Sequence, residues 1–242
     1  YMIEDAAQGV GVRYNNKHAG TFGDLGILSF YGNKTITCGE GGVVLTEDDE
    51  LAASCYRLKN HGRDKKGIFK HSHVGYNFAF TEMQAAIGIA QMNKLDRIIE
   101  KKRAIYERYV TELNNISAIK PLAFADNITP VYWFTSFFTP YKLELADYLR
   151  EKNIQTREFF YPLHKQPCYA DMELRAKNYP VSSVAYETGI SLPSSYALTS
   201  AQQEIVIDEI KKFSTLVLQR GRLLPSLRKS GQTLSELSIA CL

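Results

Sequence analysis

Glu4-Asp5-Ala6-Ala7-Gln8, Ser29-Phe30-Tyr31-Gly32-Asn33-Lys34 and Gly39-Glu40-Gly41-Gly42 decide how this chain is read. In the first stretch an apolar run, residues 1–3, meets two acids, which puts Asp5 just past the end of a strand. In the second, the apolar run 27–31 leads into a glycine-flanked turn that carries Lys34. Residues 42–46 form a third apolar run, rich in valine. Nine of the sixteen glycines precede residue 43. That density fits backbone that turns sharply or approaches a ligand closely.

A carboxylate at one strand end and a lysine in the turn after another are what a pyridoxal phosphate site requires. The aldehyde needs a lysine amine. The ring nitrogen needs an acidic partner that keeps it protonated and makes the ring an electron sink. Hydroxyls and backbone N–H groups are needed for the phosphate. Each feature alone also has a plainer reading, a turn aspartate and a solvated lysine.

Outward from this core, residues 47–59 read as a helix, with acids in the first turn and Leu51, Ala52, Cys55 and Leu58 on one stripe. Residues 57–73 are basic, either a solvated loop or a neighbour of phosphates. Thr81 and Gln84 can form a capping box on a helix expected to run to about Leu113, long enough to bridge two domains. Beyond residue 116 the texture changes. Residues 131–139 and 155–161 are strand-like, 190–192 form a short strand, and 143–152, 181–188 and 200–213 read as helices. This predicts an α/β architecture: part of a large, mostly parallel-sheet domain over 1–80, a connecting helix over 81–115, and a smaller α+β domain over 116–213. Trp133 and its aromatic neighbours are expected in the core.

The 242 residues carry 29 Lys+Arg and 26 Asp+Glu, with 45% hydrophobic side chains. This composition excludes a disordered or low-complexity chain. The first 212 positions balance at 25 basic and 25 acidic residues, so a chain-wide attraction for nucleic acid is not supported. The excess belongs to the last thirty residues, and 214–242 contain no motif. Four separated cysteines fit neither a disulfide framework nor metal spacing and predict reduced thiols in the cytoplasm. No apolar run approaches the roughly 20 residues of a membrane span. A chain that opens within a strand at Tyr1 is expected to lack N-terminal neighbours, leaving sheet edge exposed and solubility low.

The ordered string of motifs, with Gly20-Thr21-Phe22-Gly23-Asp24, His61-Gly62-Arg63, Gly75-Tyr76-Asn77, Phe160-Tyr161-Pro162-Leu163-His164 and Ile190-Ser191-Leu192-Pro193, closely resembles the DegT/DnrJ family of sugar-nucleotide aminotransferases over residues 1–213. The resemblance implies fold type I and pyridoxal 5'-phosphate as cofactor. It makes Lys34 the Schiff-base lysine and proton shuttle, and Asp5 the partner of the ring nitrogen. Gln8 is similar to the residue beside the ring hydroxyl, and Ser29 to a phosphate ligand. Asn77 is similar to the residue that reaches the phosphate of a neighbouring subunit, which implies a homodimer. Arg157, Tyr161 and His164 resemble the segment near the sugar nucleotide. Residues 214–242 fall outside the resemblance.

The implied reaction passes an amine from an amino acid, glutamate, to a nucleotide-linked keto sugar, in polysaccharide or O-antigen biosynthesis. The runs 30–37 and 157–168 most resemble the GDP-perosamine synthase branch, whose acceptor is GDP-4-keto-6-deoxymannose. Two positions depart from the family pattern. Ala79 stands where an arginine is frequent, and Cys38 where threonine is usual. Dehydratase relatives carry histidine at the lysine position, against which Lys34 argues. The alternative from another class is an inactive fragment that serves only as a binding module.

Overall fold

The computed structural model describes residues 1–65, 67–170 and 179–223, with side chains of the last helix described to Val217. Most of the expected out-of-family tail, residues 224–242, lies outside the described residues. The chain forms two compact units. The first comprises the described residues of 1–101 and 126–133, the second residues 102–125 and the described residues from 134 onward.

In chain order the elements are β1 (Ile3–Asp5), β2 (Arg13–Tyr14), β3 (Lys17–His18), β4 (Leu25–Ser29), β5 (Gly42–Leu45), α1 (Asp49–Lys59), α2 (Glu82–Met92), α3 (Leu95–Leu113), β6 (Lys120–Pro121), β7 (Ile128–Thr129), β8 (Thr135–Phe138), α4 (Lys142–Glu151), β9 (Arg157–Glu158), α5 (Pro180–Thr188), β10 (Gly189–Leu192) and α6 (Ser200–Leu223).

The first unit is built on a mixed sheet in the order β1-β4-β5. β1 and β4 run parallel, with Ile3 opposite Leu25 and Asp5 opposite Ile27. β4 and β5 run antiparallel, with Ser29 opposite Gly42. The crossover from β1 to β4 is fastened by side chains. The Glu4 carboxylate accepts from the backbone N–H groups of Gly20 and Phe22, and Asp24 accepts from Met2 N–H at 2.6 Å. The crossover lies so close to β4 that any side chain at Gly26 would collide with the Gly20 carbonyl. Neighbouring strand residues face opposite sides, so a Glu4 turned to the crossover leaves Asp5 turned away from it.

Inside that crossover, β2 and β3 form a hairpin whose central residues, Asn15 and Asn16, have φ of 47° and 64°. Two consecutive positive φ values are the signature of a type I′ turn, and asparagine tolerates them well. β7 adds to the free edge of β2, with Arg13 opposite Thr129. The sequence reading drew one domain over 116–213, whereas residues 126–133 pack with the first unit.

The expected single helix over 81–113 is two helices. The capping box forms, with Gln84 N–H donating to Thr81 Oγ1 and the Gln84 side chain accepting from Thr81 N–H. The first helix then ends at Asn93, whose N–H turns back to the Gln91 and Ile89 carbonyls. α2 buries no residue of its own, while α3 carries the buried Ile98, Ile105, Tyr109 and Leu113.

The second unit has an antiparallel sheet in the order β6-β8-β10-β9. Its core joins Tyr109 and Leu113 of α3, Phe137 of β8, Leu145 and Leu149 of α4, Ile190 of β10, and Ile207 and Ile210 of α6. The Tyr109 hydroxyl donates to the Pro193 carbonyl at 2.9 Å, and burial pushes its phenol up, so it stays neutral. Leu149 is fully buried. Leu149→Ala should therefore lower unfolding free energy by about 2–5 kcal/mol. A denaturant titration followed by circular dichroism checks this, and an unchanged midpoint would disprove the assigned core.

Candidate active site

Parallel strands send their carboxyl ends in one direction, and ligand sites of α/β sheets form beyond those ends. β1 ends at Asp5 itself, where the sequence put this residue just past the strand, and β4 ends five residues before Lys34. Both functional groups therefore leave the sheet at the same edge. The antiparallel β5 starts there too, so the 39–41 turn shares this edge.

The Asp5 carboxylate accepts from Ala7 N–H at 3.1 Å, which fixes its orientation. The turn that carries Lys34 is closed by its own N–H, which donates to the Tyr31 carbonyl at 2.9 Å. Just beyond it the chain dives inward. Ile36 is buried against Val10 and Ile98, with Leu28, Phe30 and Leu95 around them. Lys34 is thus displayed on a short turn between two anchored segments. It is half-buried, and burial lowers its ammonium from the usual lysine range, while the Asp5 carboxylate acts in the opposite direction. Asp5 and Lys34 are therefore coupled electrostatically.

Ser29 stands at the end of β4, and its hydroxyl accepts from Tyr31 N–H at 3.3 Å. Gln8 is exposed in the turn that follows β1. Gly39 has φ of 90° and no atom within 4 Å of where a Cβ would stand, so backbone is open at this edge. Cys38 is buried, its thiol raised by that burial and directed to the Glu40 carbonyl at 3.2 Å. Asn77 is exposed in a separate loop that pairs with the C-terminal end of α1, through Tyr76 N–H to the Leu58 carbonyl and Phe78 N–H to the Lys59 carbonyl. Ala79 is exposed as well.

The sequence reading missed one residue here. Trp133, expected in the core, is half-buried with its ring centroid 4.3 Å from Lys34 Nζ, and its indole N–H donates to the Asn33 carbonyl at 2.5 Å. One hundred residues separate it from Asn33, and no local pattern signals such a contact.

Arg157, Tyr161 and His164 lie in the second unit. Arg157 opens β9, its guanidinium 4.6 Å from the Phe134 ring centroid, and lines a cavity of about 530 Å³ with Lys142, Arg150 and Glu158. The Tyr161 hydroxyl donates to the Lys165 carbonyl at 3.3 Å, and its ring meets Tyr186 edge-on. His164 rests on Tyr179. Among the described residues no group of three or more His, Cys, Asp or Glu is arranged to hold a metal ion, and no helix is long and apolar enough to cross a membrane.

An amine held below its ordinary pKa, a carboxylate acting on it and open glycine backbone at the same sheet edge fit pyridoxal phosphate. Residues 1–211 match the DegT/DnrJ/EryC1/StrS aminotransferase family. The chain belongs to that family. Its members are pyridoxal phosphate-dependent aminotransferases. GDP-perosamine synthase of Escherichia coli O157:H7 is 35% identical over 216 residues, covering 88% of this chain and 58% of the relative. GDP-perosamine synthase of Vibrio cholerae is 37% identical over 218 residues, covering 88% and 59%. The crystal structure of S. venezuelae DesV in complex with a ketimine intermediate superposes with a TM-score of 0.79 at 29% identity, over 88% of this chain and 58% of that one. The chain thus spans little more than half the length of these relatives.

Removing the Asp5 charge removes the interaction that raises the Lys34 ammonium. Asp5→Asn should therefore shift the pH profile of Lys34 acylation, read by mass spectrometry, toward lower pH. A shift toward higher pH would refute the coupling.

Proposed function

We propose that this chain carries the lysine–aspartate centre of a pyridoxal phosphate-dependent aminotransferase acting on a nucleotide-linked keto sugar. The observation that carries the proposal is the coupling of Lys34 and Asp5 at the shared carboxyl edge of β1 and β4. The cofactor, when bound, supplies an aldehyde that takes up an amine and a protonated ring that accepts an electron pair.

In this reading Lys34 Nζ holds the cofactor. When free, its amine, which burial draws below the usual lysine range, would remove a proton from the substrate carbon bearing nitrogen. Asp5 holds the proton on the ring nitrogen. Gln8 would lie beside the ring hydroxyl, and Ser29 with the backbone open at Gly39 would receive the phosphate. Asn77 reaches the phosphate of a second copy, which makes the working protein a homodimer. Arg157, Tyr161 and His164 face the sugar nucleotide, and the cationic Arg157 suits its diphosphate.

Glutamate is the proposed donor and GDP-4-keto-6-deoxymannose the proposed acceptor. The GDP-linked branch is favoured by the two GDP-perosamine synthases at 35% and 37% identity. The setting would be polysaccharide or O-antigen assembly in the cytoplasm, in keeping with the free thiols of Cys38, Cys55 and Cys168. A second reading is a module that binds without catalysing.

Release of 2-oxoglutarate from glutamate, followed by amine transfer to GDP- or dTDP-linked 4-keto sugars, separates these readings. The expected outcome is transfer to the GDP sugar that Lys34→Ala reduces by at least about 10²-fold. Transfer to the dTDP sugar alone would overturn the substrate assignment. Cofactor binding without any 2-oxo acid release would support the binding-module reading.

A further inference from the structure

Trp133 reaches the Lys34 turn by a route that the fold fixes at several points. β7 pairs with β2, placing Ile128 opposite Tyr14. Val131 is buried and lies beside Gly11, where an added side chain would strike Ile99 and Val131. The next residue, Tyr132, has φ of 49°. That left-handed conformation is unfavourable for a bulky aromatic, and such strain persists only where the surroundings impose it. Its effect is to turn the chain so that Trp133 follows directly onto the Asn33-Lys34 peptide.

The side chain then makes two contacts with one turn. Its N–H donates to the carbonyl of Asn33, the residue preceding Lys34, and its ring centroid lies 4.3 Å from Nζ. The first contact holds the backbone that displays the lysine. The second holds the end of the side chain, since the negative face of an indole attracts an ammonium.

We infer that Trp133 is a positioning residue for Lys34, fixing both the turn and the place of the amine before any cofactor arrives. Its consequence for transamination rests on the reading of Lys34 as the cofactor-bearing lysine, whereas the contact itself does not. Of the groups that face the amine, the Asp5 carboxylate favours its charged form against burial, and the Trp133 ring is placed to do the same by attracting the ammonium to its face. Loss of the ring should make the amine lose its proton at lower pH and sample more rotamers.

Trp133 is the sole tryptophan of the chain, so indole emission reports on this contact without any cofactor. Selective excitation of the indole across an alkaline titration should give a change in emission that Lys34→Ala removes. Trp133→Leu should shift the pH profile of Lys34 acylation to lower pH, and Trp133→Phe, which keeps a ring face, should restore much of it. A merely structural tryptophan would move neither profile.

Emission indifferent to Lys34→Ala overturns the inference. So does a Lys34 acylation profile that is unchanged in a folded Trp133→Leu. Should Trp133→Leu fail to fold, the emission comparison in the intact chain still decides. If emission reports Lys34 but pyridoxal phosphate never attaches to it, the cofactor reading fails and the positioning role stands. If the cofactor attaches while emission ignores Lys34, the positioning role fails alone.

Discussion

The site depends on the parallel pairing of β1 with β4. Antiparallel strands would send Asp5 and Lys34 to opposite edges of the sheet, whereas parallel ones deliver both to the same edge. With only three residues in β1, the backbone ladder alone is a slight hold. The Glu4 carboxylate supplements it by receiving two N–H groups from the crossover, and Asp24 receives a third from Met2. Hydrogen bonds to ionised acceptors are stronger than neutral ones, so two side chains reinforce a short strand. The adjacent acids of Glu4-Asp5 thus divide the work between the two faces of the strand, one fastening the fold and the other facing the lysine.

Around Lys34 three influences meet. Burial disfavours the ammonium and the Asp5 carboxylate favours it, while the Trp133 ring lies where its face can attract the charge. A group held between such opposing pressures can change its protonation state with its surroundings, as the proposed part of Lys34, binding a carbonyl and moving a proton, would need. The turn keeps its shape because Ile36 is sunk into the core just beyond it, and because the Asn33 carbonyl is already occupied by the indole N–H. The second unit supports its own residues differently. Its antiparallel sheet rests on α4 and α6 around a continuous apolar core, with Arg157 among the residues that line a cavity of the same unit.

The strand ends beside Asp5 and ahead of the Lys34 turn were legible in the sequence, because short apolar runs and glycine turns leave local marks. The capping box at Thr81 and Gln84 was legible for the same reason. What escaped has a common cause. β2, β3 and β7 are two residues each, too short for any periodicity, although Asn15-Asn16 carried the mark of a tight hairpin. The break between α2 and α3 occurs at Asn93-Lys94 without proline or glycine, so the apolar pattern ran on across it. Trp133 looked like a core aromatic because its partners are a hundred residues away, and it reaches them only through the β2–β7 pairing. Contacts made by topology rather than by local preference leave nothing to read in a window of sequence.

The central claim is that the amine at position 34 receives the cofactor under the influence of Asp5. Borohydride reduction of the chain mixed with pyridoxal phosphate, followed by peptide mapping, tests it most directly. The account predicts a single reduced adduct on Lys34, absent in Lys34→Ala and formed with an altered pH profile in Asp5→Asn. Adducts scattered over surface lysines, with Lys34 no more labelled than the rest, would contradict it.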